Sequence, residues 1–274
     1  MDEKIFEDII ALITKQTGII PRESHKSGIQ NFISKRCTEL NLPGMREYYD
    51  YLKIEPNEFS AFINGATVNE TYFFREEAQF ALLQEKIFPS FYPKVGNAIN
   101  PLRIWSAAAS SGEEIYSLHL LASSMGIKTQ CIASDINTAV LEKCENGVYK
   151  SNSVRSLDGA KFHPLLSPYK EDETISFPRD LSTKIERRQI NLSKSESHFP
   201  PNIHIVFVRN VFIYFTLEMR KTILEKIVKD SLADGGYLFV SMNEIASIDS
   251  SIIPPELEKC CDGKVFYFRK KSKS

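Results

Sequence analysis

The stretch RIWSAAASSGEEIYSLHLLASSMGIKTQCIASD, residues 103–135, carries the pattern that decides the fold. It begins with a short apolar run around Trp105 and continues into a loop, 106–112, made only of Ser, Ala and Gly. From Glu113 onward apolar residues recur at helical spacing, and a second short apolar run then ends beside Asp135. This order predicts a strand, a tight loop, a helix and a second strand, which together form a βαβ unit.

The unit has features that are typical of a nucleoside-binding site. Small side chains in loop 106–112 let backbone N–H groups approach a ligand closely, and an acid at the tip of the second strand can accept hydrogen bonds from both hydroxyls of a ribose. Asp135 lies about 20 residues beyond the loop, which is the spacing that this geometry expects. An ordinary βαβ unit with surface glutamates would give the same pattern, and this alternative stays open at this point.

The loop departs from the usual dinucleotide pattern, because Gly112 is its only glycine and G-x-G-x-x-G is absent. Glu113 and Glu114 stand where the helix begins, and they would repel a pyrophosphate although a helix N-terminus itself favours anions. A positively charged ligand fits this position better. S-adenosylmethionine has an adenosine, a sulfonium and an ammonium but no phosphate, so the pattern favours a methyltransferase over a dehydrogenase.

Composition excludes several classes of protein. The 274 residues are 42% hydrophobic and 25% charged, as in a soluble globular protein of one large or two modest domains. The net charge of -1 gives no reason to expect binding to nucleic acid. No apolar run approaches the roughly 20 residues of a membrane span, so no membrane insertion is expected. Five irregularly spaced cysteines without C-x-x-C predict no disulfide framework, no metal site and a reducing, cytoplasmic location.

Apolar spacing divides the chain into two parts. We predict an all-helical N-terminal domain over residues 1–92 and an α/β domain over 93–274, with a small β subdomain within about 150–190. Four helices are indicated in the first part, around Phe6, Ile29, Tyr48 and Phe59. The second helix also carries Lys26, Lys35 and Arg36, which form either a basic face that steers an acidic partner or a solvated surface.

The second half of the chain contains a clear buried strand. IHIVFV, residues 203–208, is a continuous apolar run and predicts a central parallel strand that is buried on both faces. Arg209 and Asn210 follow at its carboxyl end, where ligands bind in open α/β sheets. Thr216 is predicted to cap a long amphipathic helix that ends at Gly235-Gly236, before a strand at 237–240.

The segment NETYFFREEAQF, residues 69–80, combines four aromatic residues with an arginine and several hydrogen-bonding groups. Taken alone, it also fits a capped helix, with Asn69 or Thr71 as N-cap, the aromatic rings in the core and Arg75 in solvent.

Several motifs in one order make the chain resemble the chemotaxis-receptor methyltransferases, the CheR family. They are NETYFFRE, WSAAASSGEEIYS, ASDINTAVLEKCENGVY, INL at 190–192 and VRNVFIYF. The resemblance covers nearly the whole chain and implies a Rossmann-like α/β methyltransferase domain behind a small all-α domain. It implies a protein-glutamate O-methyltransferase that uses S-adenosyl-L-methionine, leaves S-adenosyl-L-homocysteine, and converts chemoreceptor glutamates to methyl esters in chemotaxis adaptation.

The resemblance also implies roles for individual residues. Glu114 matches the acid of the Gly-Glu-Glu element, with Glu113 as the second choice. Asp135 matches the acid that binds the ribose. The residues implied to contact the cofactor are Asn69, Thr71, Arg75, Glu114, Asp135, Asn191, Leu192, Arg209 and Asn210, and those implied to be catalytic are Arg75 and Tyr214.

These residue types suit transfer of a methyl group to a carboxylate. A glutamate carboxylate is already ionised and needs no general base, so the enzyme's main task is to hold the reacting atoms roughly 3 Å apart and in line. A dry site favours the step because both opposite charges disappear. Arg75 can orient the carboxylate through a two-pronged contact, and Tyr214 can direct its hydroxyl at the substrate, although Tyr214 also fits a core aromatic.

Two departures from the family pattern leave alternatives open. Residues 162–182 lack the glycine-containing pattern of members that dock on a receptor-tail pentapeptide, and 241–244 reads Ser-Met-Asn-Glu in place of Gly-His-Ser-Glu. A cofactor-binding regulatory module with little turnover is therefore the alternative, and a small-molecule methyltransferase of the same fold is a remoter one. The resemblance implies the cytoplasmic helices of a chemoreceptor, a methyl-accepting chemotaxis protein, as partner of a monomeric enzyme.

Overall fold

The computed structural model describes residues 2–272 of the chain. It begins with helices whose apolar faces pack on one another, as the apolar spacing predicts. They are α1 (Asp2–Thr17), α2 (Glu23–Glu39), α3 (Met45–Ile54) and α4 (Pro56–Ala66). Ile9, Tyr48 and Phe62 are fully buried at the centre of this bundle, so the helical part has a hydrophobic core of its own.

The chain between the bundle and the sheet is irregular at first and then helical. Helices α5 (Glu77–Leu82) and α6 (Phe88–Phe91) are joined by one π turn, Leu83–Ile87. Residues 67–76 are not helical, so a capped helix that begins at Asn69 or Thr71 is absent from this segment. The reason is local, because Phe74 and Glu76 have φ angles of 55° and 63°, which an α-helix cannot contain.

The rest of the described chain contains ten strands and four further α-helices. The helices are α7 (Glu113–Ser124), α8 (Thr138–Asn146), α9 (Arg179–Ser182) and α10 (Leu217–Lys226). The strands are β1 (Leu102–Ala107), β2 (Thr129–Asp135), β3 (Val148–Lys150), β4 (Lys170–Glu171), β5 (Thr174–Ser176), β6 (Ile185–Gln189), β7 (Ile203–Phe207), β8 (Leu232–Phe239), β9 (Leu257–Asp262) and β10 (Val265–Lys270). None of the helices within residues 2–272 combines the length and the apolar character that a bilayer span requires.

Seven of the strands form one twisted sheet in the order β6-β2-β1-β7-β8-β10-β9. Neighbours from β6 to β8 are parallel, whereas β10 runs antiparallel to both β8 and β9. Strand β7 lies at the centre, and Val206 and Phe207 are fully buried in the cores on opposite faces of the sheet. The predicted βαβ unit, central strand and α/β fold class are thus confirmed. The strands β3, β5 and β4 form a separate small sheet within residues 148–176.

The prediction for the end of α10 is wrong. The α-helix stops at Lys226, one π turn follows over Ile227–Ser231, and Gly235-Gly236 lie inside β8. The Lys270 ammonium, from the neighbouring strand β10, donates hydrogen bonds to the carbonyl oxygens of Val228 and Leu232 at 2.7 and 2.6 Å. These carbonyls are therefore satisfied by a distant residue, and no glycine cap is needed.

Candidate functional site

A cavity opens at the carboxyl ends of β1, β2, β6 and β7, beneath the helical bundle. The chain leaves each of these strands through residues that line it, as expected for an open parallel sheet. All ten site residues that the sequence indicates lie in its walls: Asn69, Thr71, Arg75, Glu114, Asp135, Asn191, Leu192, Arg209, Asn210 and Tyr214. Segments more than a hundred residues apart in sequence therefore meet in one place.

The helical bundle is bonded to the sheet on one side of the cavity through α4. The Asn137 amide group donates to the Asn64 carbonyl at 3.0 Å and to the Thr67 hydroxyl at 2.8 Å. The Asn64 side chain in turn accepts from the backbone N–H of Thr138 at 3.0 Å. Because Asn137 and Thr138 begin α8 directly after the tip of β2, these bonds fix the bundle close to Asp135.

A second attachment lies on the other side, at the end of α1. The Asn191 amide donates to the Gln16 carbonyl at 3.1 Å, and the backbone N–H of Ile20 donates to the Tyr214 carbonyl at 2.8 Å. The side chain of Asn191 is thus bonded to the bundle, while the adjoining Leu192 is almost fully buried in the core beneath the cavity. No sequence signal pointed to Gln16 or Ile20.

The loop after β1 holds an unusual backbone. Ala108 has φ 105° and Ser110 has φ 50°, although neither is glycine. The N–H groups of Ala108 and Ala109 donate to the Ser134 carbonyl at 2.9 and 2.8 Å, which fixes the loop against β2. At Gly112, with φ 97°, a Cβ atom would lie 2.4 Å from the Cys144 sulfur, so only glycine fits. Strained backbone of this kind is concentrated at functional sites.

Asp135 is held at the floor of the cavity by two backbone donors. One carboxylate oxygen accepts from the N–H of Ser110 at 2.9 Å and the other from the N–H of Asn137 at 3.0 Å. The residue is 9% exposed, and burial raises the pKa of its carboxyl group although both hydrogen bonds oppose that shift. Each oxygen keeps a further lone pair, so the carboxylate can still accept two ribose hydroxyls.

The two glutamates at the start of α7 have different surroundings. The Glu114 carboxylate lines the cavity, accepts from the Ser106 hydroxyl at 2.6 Å and pairs with Arg209 at 2.7 Å. Glu113 does not line the cavity and instead accepts from the hydroxyls of Ser111 and Ser153. Burial raises the pKa of the Glu113 carboxyl group. Of the two residues, Glu114 is the one placed to contact a ligand.

Arg209 is the centre of a buried polar network. It is 5% exposed, and its Nε donates to the Glu114 carboxylate. Its Nη1 donates to the Gln79 side chain at 2.7 Å and to the Arg75 carbonyl at 2.9 Å. Glu76 lies 3.4 Å from the same nitrogen. Arg209 thus contributes to the wall mainly by holding Glu114 and the backbone of Arg75 in place. Neither Gln79 nor Glu76 was singled out from the sequence.

The altered loop at 241–244 takes part in the same wall. The buried Glu244 carboxylate accepts from the backbone N–H of Asn210 at 2.7 Å and so stabilises Asn210 at its positive φ of 57°. Burial raises the pKa of Glu244. Ser241 accepts from the Asn210 amide at 3.1 Å and donates to the Glu76 carboxylate at 2.5 Å. The Ser-Met-Asn-Glu sequence therefore braces Asn210.

The wall that faces Asp135 and Glu114 carries side chains that make few hydrogen bonds to the rest of the protein. The Arg75 guanidinium donates to the Glu70 carbonyl at 3.1 Å and lies over the Tyr72 ring. Tyr214 is partly buried, which raises its pKa, and within residues 2–272 its hydroxyl makes no hydrogen bond. Its ring lies 6.0 Å from that of His25, a wall residue from α2 that the sequence did not single out.

Asn69 and Thr71 complete this wall. The Asn69 amide donates to the Thr67 carbonyl at 2.9 Å, and the Asn69 carbonyl accepts from the Ser110 hydroxyl at 3.0 Å. These bonds join the segment before Arg75 to the loop after β1, so the two walls meet at Ser110.

The basic residues of α2 are paired with acids. Lys26 lies 3.1 Å from both Glu7 and Glu23, and Lys35 lies 3.6 Å from Glu39. Arg36 pairs with Glu39 and with the buried Glu58, each at 2.5 Å. This arrangement favours a salt-bridged helix surface over a basic face that steers a partner.

The donor and acceptor set of the cavity fits S-adenosylmethionine. Asp135 offers acceptors to a ribose, Leu192 offers an apolar surface to a base, and Glu114 places a carboxylate where the ligand's positive charge can lie. Arg209, the nearest buried cation, is already engaged by protein groups, so the cavity is better suited to a cationic nucleoside than to a pyrophosphate.

Comparison with known proteins gives consistent matches over both parts of the chain. Residues 4–67 match the family described as "CheR methyltransferase, all-alpha domain", and residues 69–253 match "CheR methyltransferase, SAM binding domain". The chain is 30% identical to the chemotaxis protein methyltransferase of Salmonella typhimurium, over 87% of this chain and 83% of that one. It is 32% identical to the protein of the same name from Klebsiella aerogenes, over 87% and 82% of the two chains. Chemotaxis protein methyltransferase 2 of Vibrio cholerae is 31% identical over 87% and 84%.

Proposed function

Because the chain belongs to the CheR methyltransferase family, we propose that its cavity holds S-adenosylmethionine along the Asp135 wall and receives a chemoreceptor glutamate at the Arg75 and Tyr214 wall. The protein is an S-adenosylmethionine-dependent protein-glutamate O-methyltransferase of chemotaxis. The meeting of all ten site residues in one cavity is the observation that supports this division of roles.

The chain's own residues hold the cofactor by complementarity of charge and hydrogen bonding. When bound, S-adenosylmethionine supplies the methyl group, made electrophilic by its sulfonium. Asp135 accepts the ribose hydroxyls, and the Asn191-Leu192 pair lines the adenine. Glu114 provides negative charge near the ligand's cationic groups, and Arg209 keeps that carboxylate from turning away.

The acceptor wall orients the carboxylate of the receptor glutamate. Arg75 has further N–H donors beyond the one that Glu70 engages, and a guanidinium matches a carboxylate in a two-pronged contact. The Tyr214 hydroxyl donates to the same carboxylate. Apolar residues such as Ile13 and Ile63 also line the cavity, and apolar surroundings favour the loss of two opposite charges during transfer.

Several finer points belong to the same proposal. The acceptor is a cytoplasmic helix of a methyl-accepting chemotaxis protein, and the enzyme acts as a cytoplasmic monomer. Residues 1–92 act as a helical domain that covers the cavity of the domain at 93–274. No contact within residues 2–272 favours the regulatory alternative, because Ser241 and Glu244 of the altered loop support Asn210.

Methyl transfer to receptor is the direct test. The purified enzyme is incubated with S-adenosylmethionine labelled in the methyl group and with a cytoplasmic fragment of a methyl-accepting chemotaxis protein. We expect base-labile methyl ester on the fragment, and none on a fragment whose acceptor glutamates are changed to alanine. Tight binding of S-adenosylhomocysteine without any labelled receptor would contradict the proposal, and label on free metabolites alone would support a small-molecule methyltransferase.

A further inference from the structure

The segment that carries Arg75 is joined to the small β subdomain by its aromatic residue Tyr72. The guanidinium groups of Arg75 and Arg155 lie over the Tyr72 ring, 5.4 and 5.0 Å from its centroid. Arg155 follows β3 and its side chain also pairs with Glu70 at 2.7 Å. Two residues of the segment, Glu70 and Tyr72, therefore contact one residue of the subdomain.

Asp158, three residues after Arg155, accepts three hydrogen bonds from the segment that carries Arg75. Its carboxylate accepts from the Tyr72 hydroxyl at 2.8 Å and from the backbone N–H groups of Glu76 and Glu77 at 2.9 and 3.1 Å. Glu77 is the first residue of α5 and Glu76 is its N-cap, and the Glu76 side chain makes no capping hydrogen bond. A carboxylate from another part of the fold thus caps the helix that follows Arg75.

The next residue brings the two backbones into contact. Gly159 has φ 78°, and a Cβ atom on it would lie 2.7 Å from the Phe74 Cβ and 2.9 Å from the Phe74 carbonyl oxygen. Only glycine allows this approach. The loop at 155–159 and Arg209 therefore both hold the Arg75 segment, since Arg209 donates to the Arg75 carbonyl at 2.9 Å.

We propose that Asp158 is a positioning residue for methyl transfer, which fixes the backbone of the Arg75 segment through Tyr72, Glu76 and Glu77. The inference rests on the proposed role of Arg75 toward the acceptor carboxylate. Within the described chain the Arg75 guanidinium has a single hydrogen bond, to Glu70, so the place of its end group depends on where its backbone is held. Displacement by about 1 Å at such a group is enough to cost about 100-fold in rate.

The location of Asp158 separates this role from general stability. The loop is on the surface, and its Leu157 side chain is 95% exposed. Asp158 itself is only partly buried, so its replacement opens no cavity in the hydrophobic core. Loss of its hydrogen bonds should therefore act on the Arg75 segment more than on the fold as a whole.

The test compares Asp158→Ala, Asp158→Asn and Tyr72→Phe with Glu171→Gln, an exposed acid on β4 of the same subdomain. The full-length enzymes are assayed for kcat with a receptor fragment, for the Kd of S-adenosylhomocysteine by calorimetry, and for Tm. We expect kcat to fall about 10- to 100-fold for Asp158→Ala and less for Asp158→Asn and Tyr72→Phe, which keep part of the contact. The Kd should stay within about twofold, and Glu171→Gln should match the wild type.

A double-mutant cycle with Arg75→Ala decides whether Asp158 acts through Arg75. In the Arg75→Ala background, Asp158→Asn should lower kcat no further, because the group that it positions is gone. Additive losses, an unchanged kcat in the single variants, or a parallel loss of Tm, kcat and cofactor binding would each overturn the inference. If Asp158→Ala does not fold, Asp158→Asn and Tyr72→Phe carry the same test. A wild-type enzyme that methylates no receptor would instead overturn the proposed function.

Discussion

The two walls of the cavity differ in how many polar contacts their side chains make with the rest of the protein. On the wall that we propose for the cofactor, here called the cofactor wall, Asp135, Glu114 and Arg209 are nearly buried, and each makes at least two polar contacts. On the acceptor wall, Arg75 has one hydrogen bond and the Tyr214 hydroxyl has none within residues 2–272. We infer that the proposed cofactor wall is complete before ligand arrives, whereas the proposed acceptor wall keeps donors available for a macromolecule.

This contrast separates stability from turnover. A charge that is buried with partners costs several kcal/mol when one partner is removed, because the other is left unpaired. A donor with few bonds to protein leaves few groups unpaired when it is removed, so its loss costs the folded chain little. Changes on the cofactor wall should therefore affect folding or binding, and changes on the acceptor wall should affect catalysis.

The largest effect is expected for Arg209→Met. This change removes a buried cation but keeps most of its volume, so Glu114 and Gln79 lose their partner and the free energy of unfolding should fall by about 3–5 kcal/mol in urea denaturation. Arg188→Met is the control, because Arg188 pairs with Glu186 at side-chain exposures of 35% and 42% and should cost less than about 1 kcal/mol. An equal fall in the free energy of unfolding for both variants would contradict the view that the cofactor wall is held by buried, paired charges.

On the acceptor wall, Arg75→Ala should leave the free energy of unfolding nearly unchanged but lower kcat about 100-fold, since the acceptor carboxylate loses its orienting partner. The measurement is initial rate with receptor fragment at saturating cofactor. The Kd of S-adenosylhomocysteine, measured in parallel, should change much less. A defect confined to cofactor binding would assign Arg75 to the other wall.

Asp135→Asn is expected to show the reverse behaviour. Loss of the anionic acceptor should weaken S-adenosylhomocysteine by about 1–3 kcal/mol, which is about 5- to 150-fold in Kd by calorimetry. The amide still accepts one backbone N–H, so the fold should be retained. An unchanged Kd would exclude Asp135 from the ribose site.

Tyr214→Phe removes one hydroxyl and keeps the ring. If that hydroxyl donates to the acceptor carboxylate, kcat should fall about 2- to 10-fold, corresponding to about 0.5–1.5 kcal/mol for one hydrogen bond. Tm should stay the same, because the hydroxyl has no protein partner in the described chain. A fall in Tm with normal turnover would indicate a core aromatic.

The smallest effect concerns the pH dependence of stability through Glu113. Burial raises its pKa above the unfolded value near 4.5, so the folded state binds its proton more tightly. Stability from this group is greatest below the unfolded value and declines as pH rises through the folded value. The Glu113→Gln variant has no titrating group here, so this decline in stability is absent. The hydroxyls of Ser111 and Ser153 can accept hydrogen bonds from the glutamine amide. Relative to wild type, the variant should gain stability in urea denaturation between pH 4 and pH 8.

The control for this comparison is Glu142→Gln, an exposed acid on α8. Its free energy of unfolding relative to wild type should be nearly the same at both pH values. The same pH-independent difference for Glu113→Gln would show that burial of Glu113 does not affect its proton.

Local pattern was sufficient for the parts of the fold that local forces decide. The βαβ unit at 103–135 and the central strand at 203–207 follow from apolar spacing alone. The end of α10 could not be predicted in this way. Gly235-Gly236 resemble a helix cap in composition, but the carbonyl groups of Val228 and Leu232 accept hydrogen bonds from Lys270 of β10. A bond between residues 38 apart or more leaves no local signature.

The site shows the same limit. Motif order indicated which residues surround the cavity, but adjacent side chains at a helix start point in different directions, so sequence left Glu113 and Glu114 undecided. The partners of Arg209 and the contacts of Asp158 join residues 81 to 134 apart, and they depend on how the subdomain and the sheet come together.

A crystal structure of the enzyme with S-adenosylhomocysteine tests the central claim most directly. We predict the ribose hydroxyls within hydrogen-bond distance of the Asp135 carboxylate, the base against Leu192, and the sulfur facing the space between Arg75 and Tyr214. Product bound outside this cavity, or bound within it with the ribose away from Asp135, would contradict the assignment of the two walls.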